Sequence, residues 1–408
     1  MEITPSLIIR PSALQDANPA ALKSWQVGQI LSATVVGVST NGAVTLRINN
    51  LLLNAQTSLS LQTGQTLKLE VARGGEQPLL KIVLPPSPQD VQAQALRGAL
   101  PRQLPLAPLL ANLGNLAARL QNTSDPAGKE LTQLARQVMD GLAGKNDVSQ
   151  GAGLKQAVLN SGVFLEAKLA TSLAGGPPLP AGDLKAGLLR LLAGLQAQTA
   201  NGGGPQERAT TDTSAAARDA GRSAPSATPP PPLRGGLPQA QASVSTTLAG
   251  ATLATATTEM LRQTEGALAR LQLSQIASLP SEQQPQRLWS LELPVQQDQR
   301  TDLFQLRIEE EASGTARDSA APWSVMLAFD LPSLGPVHAR ILVNGPQVSA
   351  TLWAEHPSTA ALFNAQLEEL RAGLQRAGML VGRIACTEGS PTSPPASPGN
   401  TPLVDTRA

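Results

Sequence analysis

The chain has 408 residues, 31 Lys and Arg against 30 Asp and Glu, a formal net charge of +1, and 2% aromatic residues with no tyrosine. This near-neutral balance gives no support for a nucleic-acid partner or an anionic membrane surface. A single cysteine, Cys386, excludes an intrachain disulfide, and the length predicts two or three domains rather than one core.

Residues 1–24 read as a loose, flexible leader. They lack a basic start followed by a long apolar run, so no cleaved secretory signal is expected. Nor does any stretch approach the roughly 20 apolar residues that span a bilayer, so a soluble cytoplasmic product is expected, with export by a route that reads no such signal left open.

Residues 25–86 predict a small β-barrel domain. Ile30 to Val38 is rich in Val, Thr and Ser. Val44, Leu46 and Ile48 alternate with polar residues, as do Leu67, Leu69 and Val71, and Leu80, Ile82 and Leu84. Asn41-Gly42, Thr63-Gly64 and Gly74-Gly75 supply turns. About five short strands in so few residues suggest an SH3-like or OB-like barrel. Such barrels often bind oligonucleotides, but a stacking platform needs aromatics and a basic groove. Trp25 is the one aromatic here, so a protein-binding or structural barrel is the better reading.

Residues 91–195 predict short helices with apolar stripes, among them Leu109, Leu113, Leu116 and Leu120, then Leu131, Leu134, Val138 and Leu142. Leu154, Val158, Leu165 and Leu169 form a third stripe, and Leu184, Leu188, Leu191 and Leu195 a fourth. Residues 196–245 predict a disordered linker rich in Pro, Gly and Ala. Leu233, Leu237 and Val244 are its only large aliphatics, too few to offset the entropy of ordering. A helix over 250–279 follows, then a C-terminal domain over 286–388 and a disordered tail over 389–408.

The C-terminal domain carries the clearest pattern. Trp289, Leu291, Leu293 and Val295 predict one strand, and Phe304, Leu306 and Ile308 another. Trp323, Val325, Leu327, Phe329 and Leu331 then alternate with polar residues up to the Pro332-Ser333-Leu334-Gly335 turn. Val337, Ala339, Ile341 and Val343 predict the next strand, with Asn344-Gly345 as a tight hairpin. A strand from Val348 to Trp353 leads to His356-Pro357-Ser358, where Pro suits a first helical turn and Ser a cap. Phe363, Leu367, Leu370 and Leu374 share a helix face, Gly378 ends that helix, and a short strand closes the pattern. The fold class is therefore multidomain α+β, with four to six C-terminal strands packed on one long helix. Six of the eight aromatics fall in this third, so the best-defined core is expected there.

Catalytic chemistry finds little footing. Two histidines and one cysteine do not supply a four-ligand zinc site, and no nucleophile elbow, phosphate loop or dinucleotide fingerprint is present. The expectation is a non-enzyme without metal or cofactor. Glu309, Glu310 and Glu311 read as a solvated strand end, His338 as exposed, and His356 as a neighbour of the helix cap. Trp353 falls on the polar side of its strand, which leaves two readings: it lies under the helix, or it is an exposed anchor for a partner.

The order Pro332-x-Leu334-Gly335, Asn344-Gly345, Leu367-x-x-Leu370-Arg371 and Gly378-Met379 resembles the C-terminal domain of the flagellar hook-length control proteins. Pro346, which removes a donor just after the hairpin, departs from that pattern. The resemblance implies a protein exported through the flagellar type III apparatus while the hook grows. It implies N-terminal contacts with hook and hook-cap proteins. It also implies a C-terminal contact with the cytoplasmic domain of the export-gate switch protein, which ends hook-type export and starts filament-type export. Pro332, Leu334, Gly335, Val337 and Trp353 are the residues assigned to that contact, with Phe363, Leu367, Leu370 and Leu374 as the structural helix face. A monomer without membrane insertion is expected. The extended chain would reach about 1,300 Å and a continuous helix about 600 Å, either suited to a length probe. A needle-length ruler of an injection-type secretion system is the alternative, with oligonucleotide binding through the barrel a third.

Overall fold

The computed structural model describes residues 6–9, 25–38, 43–49, 51–56, 61–74, 79–83, 88–120, 123–177, 182–201, 229–280, 286–298, 300–311 and 321–391. The Asn41-Gly42 turn, most of the leader, residues 202–228 of the linker and most of the tail lie outside these. The chain divides into two compact units, Met1–Val91 and Gln92–Ala408.

The first unit holds β1 (Ser6–Ile9), β2 (Ile30–Val38), β3 (Ala43–Ile48), β4 (Leu51–Gln56), β5 (Thr66–Arg73) and β6 (Leu79–Val83). They pair antiparallel in the order β1-β4-β3-β2-β5-β6, and β1 bonds to both β4 and β6. Residues 6–9 of the expected flexible leader are thus a strand, because two open edges offer their unpaired amides and carbonyls to it. Period-two burial follows the sequence: Leu46, Leu69 and Leu80 are 0% exposed. Each such side chain contributes about 1.5–3 kcal/mol. Trp25 joins this core at 9% exposure. The turns Gln26–Gln29 and Gln62–Gln65 repeat one design. Gly28 N–H donates to Val71 O, and Gly64 N–H to Val35 O, so each turn pins the far end of the strand paired beside its own.

The second unit begins within α1 (Pro88–Ala99). α2 (Leu106–Arg119), α3 (Pro126–Met139), α7 (Leu184–Asn201) and the central α8 (Leu253–Ala277) share the largest apolar cluster. Three of the four sequence stripes meet there. The stripe at Leu154 to Leu169 does not form one face, because it is split into α5 (Gly151–Leu159) and α6 (Leu165–Leu173), and Leu154 and Leu169 are each 39% exposed. The short α4 (Lys145–Val148) precedes α5.

The sheet runs β13-β12-β11-β10-β9-β8-β7. Its strands are β8 (Leu288–Gln297), β9 (Arg300–Glu310), β10 (Trp323–Leu331), β11 (Gly335–Asn344), β12 (Gln347–Ala354) and β13 (Leu380–Glu388), with a two-residue β7 (Ala143–Gly144) contributed by the helical region. β8 to β12 form an antiparallel meander. β13 returns parallel to β12 through α9 (Pro357–Arg376), as a parallel neighbour requires a crossover. One face, here the front, carries Leu291, Phe304, Leu327, Phe329, Val337 and Ala354; the back carries Glu292, Gln305, Ser324, His338 and Trp353.

Several expectations change here. The helical region and the C-terminal domain are not separate cores: Leu303 of β9 sits in the helical cluster, and Ala157 of α5 packs with Leu291 and Leu306 on the front face. The best-buried core is not the aromatic one. The largest fully buried side chains include Arg270 and leucines of the strands and helices outside the sheet, whereas Trp289, Phe304, Trp323, Phe329, Trp353 and Phe363 are all half-buried. A thin sheet end with one crossing helix does not enclose rings that large. Aliphatic side chains between helices interdigitate to full density. Residues 229–245 of the expected linker are not free either: Asn112, 1% exposed, holds Thr246 and Thr247 just beyond them by hydrogen bonds, and further contacts tie the segment to the sheet. Side chains and carbonyls, not a large apolar load, hold it.

Candidate functional site

The Leu331–Gly335 turn connects β10 to β11 at one end of the sheet. Leu334 N–H donates to Leu331 O at 2.9 Å, closing it. Gly335 has φ +71, and a β-carbon there would lie 2.5 Å from His356 Cδ2 and Nε2. Glycine is required twice over, for the left-handed backbone and for the imidazole laid against it. From the start of α9, Thr359 Oγ1 donates to Leu334 O at 2.6 Å. Leu334 itself packs with Phe363 around Val337, Ala354 and Ala360. Glu355 N–H donates to Pro336 O at 3.1 Å. The turn and the helix start are therefore one rigid corner.

Its outer surface consists of Pro332 and Ser333 from the turn, and Glu355, His356, Pro357 and Ser358 from the helix start, all exposed. Asp330 lies beside it. Burial, and secondarily the Glu355 carboxylate, raise the Asp330 pKa, against the pull of His356. The helix begins at Pro357 with His356 as N-cap and no side-chain cap bond, so Ser358 is not the cap. Proline at the first position brings no amide to satisfy, and the Thr359 and Ala360 N–H groups donate to the His356 carbonyl at 3.0 Å each. At the other end Met379 N–H donates to Leu374 O and Gly378 N–H to Gln375 O, the paired bonds of a Schellman motif, with Gly378 at φ +83. Pro346 is accommodated because the hairpin tip is Gly345-Pro346, between the paired Asn344 and Gln347, with Gly345 at φ +55. Glycine at the first central position suits a type II′ turn, whose second position has the negative φ that proline supplies.

The residues assigned to the partner contact do not form one surface. Pro332 is exposed and Leu334 half-buried, but Val337 is 0% exposed, so it can act only by setting strand register. Trp353 alternates with Ala354, which faces α9, so it lies on the back face and not under the helix; it is half-buried beside its cross-strand neighbour His338. On the helix, Phe363, Leu367 and Leu374 are half-buried and Leu370 is 40% exposed, so the fourth member of the expected structural face points largely to solvent. His338, expected to be exposed, is 7% exposed. The glutamates expected to be solvated each meet an arginine: Glu309 with Arg307, Glu310 with Arg287 at 3.8 Å and Glu311 with Arg340 at 2.7 Å. Cys386 packs by Phe329 and Phe363, and burial pushes its thiol pKa up. Sequence reasoning missed Thr359 and His356 as partners of the turn. A hydroxyl two residues after Pro357 was the available signal, but its acceptor is 25 residues away.

A five-stranded antiparallel meander closed by a parallel β-α-β crossover, with a rigid turn-and-helix corner, defines a mixed α+β module. Residues 311–395 match the sequence model of a family described as flagellar hook-length control protein FliK. The match covers the C-terminal region alone, which is similar to the domain of that family. No curated protein and no solved structure matches the chain. β8 and β9 precede the matched residues, so this sheet continues beyond the family domain. Among the described residues no helix is long and apolar enough to cross a membrane, and no three His, Cys, Asp or Glu side chains group to hold a metal.

Proposed function

We propose that this chain controls flagellar hook length. It is exported through the flagellar type III apparatus without a cleaved signal peptide. Its C-terminal domain switches that apparatus from hook-type to filament-type substrates. The corner formed by Pro332, Ser333 and Leu334 with His356 to Ser358 docks on the cytoplasmic domain of the export-gate switch protein. The observation that carries this choice of surface is the double tie, Thr359 Oγ1 to Leu334 O and Gly335 against His356, within the family domain. A preorganised corner binds without the cost of ordering a loop. The N-terminal unit serves contacts with hook and hook-cap proteins, with the chain acting as a monomeric ruler. The burial of Trp25 leaves a base-stacking role for that unit without its aromatic.

The test is deletion of Pro332 to Gly335 in the cell of origin. The expected outcome by electron microscopy is overlong hooks without filaments. Hooks and filaments of normal length would exclude the corner from the switch.

A further inference from the structure

Across the back face of the sheet runs the segment from Pro229 to Ala242. It is held chiefly by its main chain. Arg270 Nη1, on a side chain 1% exposed, donates to the carbonyls of Pro229 at 3.2 Å and Pro230 at 3.1 Å. Arg307 Nη1 donates to Gly236 O at 3.2 Å, and Gln305 Oε1 accepts from Gln239 N–H. The Pro238 carbonyl lies near His338, and Ala242 makes a parallel bridge to Asp330 of β10. Two side chains add ties: Gln241 Nε2 donates to Glu292 Oε1 at 2.8 Å, and Arg234 donates to the carbonyls of Ala277, Leu279 and Gln286.

The apolar contribution is small. Pro232 and Pro238 are buried, but Leu233, the segment's first large aliphatic, is 55% exposed. A run of four prolines donates no hydrogen bonds, is already extended and leaves its carbonyls to accept. Fixed guanidinium and amide groups on α8 and β9 meet that chemistry at a spacing set by the sheet. This is how a groove recognises an extended peptide, by backbone and by a few proline-sized contacts.

We infer that the back face of the C-terminal sheet is a binding site for an extended, proline-containing polypeptide, and that residues 229–242 occupy it as a displaceable strap. The strap is anchored at its C-terminal end, where Asn112 holds Thr246 and Thr247, and so peels from Pro229 inward. Because the groove reads main chain, a second segment of the same chemistry takes the strap's place when it leaves. The strap lowers the apparent affinity for such a segment by the fraction of time the groove is covered. The site is on the opposite face from α9, and it stands or falls separately from the switch role.

The test uses the full chain, a variant with residues 229–242 replaced by a Gly-Ser segment of equal length, and a fluorescent synthetic peptide of residues 229–242. Fluorescence anisotropy is expected to show saturable binding to the replaced chain and at least about tenfold weaker binding to the unaltered one. Adding Gln305→Ala and Arg307→Ala to the replaced chain is expected to weaken binding by about tenfold or more. No binding by a replaced chain that still melts cooperatively, or equal binding to both chains, overturns the inference. If the replaced chain does not fold, hydrogen exchange on the unaltered protein decides. Amides of Gln239 to Ala242 exchanging at least about tenfold faster than those of β8 and β9 support a strap that opens alone. Exchange in step with the strands makes the segment part of the sheet's own fold and overturns it.

Discussion

On the front of the C-terminal sheet, α9 crosses one end and α5 covers the other, and apolar side chains at strand and helix periods meet between them. On the back, the same strands present Glu292, Gln305, Arg307 and His338, covered by α8 at one edge and by the strap beyond it. Front-face packing is non-directional, so it tolerates half-buried rings and an exposed Leu370. Back-face packing is directional: each polar group taken from water must find a partner, and a lost partner costs more than a lost methylene. The face that looks like a core is therefore the more forgiving one.

The largest expected effect breaks the back face at its hub. Arg270 pairs with Glu292 at 2.8 Å and also donates to Gln103 and the strap. Arg270→Ala strands a nearly buried carboxylate, and urea denaturation is expected to register a loss of about 3–5 kcal/mol. Next comes the corner of the front face. Gly335→Ala imposes a β-carbon on a left-handed backbone and on His356, and a loss of about 1–3 kcal/mol is expected in the same assay. If this variant melts like the parent, the corner is not rigid.

A smaller effect separates the faces by pH. Burial pushes the His338 pKa down, against the opposing pulls of Glu355 and the Pro238 carbonyl, so the folded chain holds this imidazole neutral. The unfolded chain takes up a proton near pH 6.5, the folded one only at lower pH, so stability falls as pH drops below about 6.5. The slope from this one group is at most about 1.4 kcal/mol per pH unit. Comparing denaturation midpoints of the parent and His338→Asn between neutral and mildly acid pH isolates it; identical slopes would remove His338 as the source. The smallest effect is expected at Leu370→Ala, within about 0.5 kcal/mol, since that side chain is 40% exposed. A large loss there would mean that α9 is covered by something in solution.

Much of the strand and helix order was legible, because periodicity records which face of an element is buried. The strands of the C-terminal sheet, the Leu stripes of α2, α3 and α7, and the Gly378 stop all follow from local pattern and turn chemistry. The Pro332–Gly335 turn was visible as a break. Its partners were not, since Thr359 and His356 lie more than 20 residues downstream. The roles of Val337 and Trp353 also depended on which face α9 would choose, and alternation names two faces without saying what covers either. β1 was missed because four residues carry no usable period; two open strand edges recruit it.

What the sequence alone determined is the alternation within each element, the turns that join neighbours, and a family resemblance carried by the order of short motifs. Only the tertiary structure decided that helices and sheet share cores, that His338 and Arg270 are buried, and that a proline run with few aliphatics is docked. The physical reason is the reach of the forces. Propensity, capping and period act within a turn or two of chain. A guanidinium bonding to a proline carbonyl some forty residues away leaves no local trace.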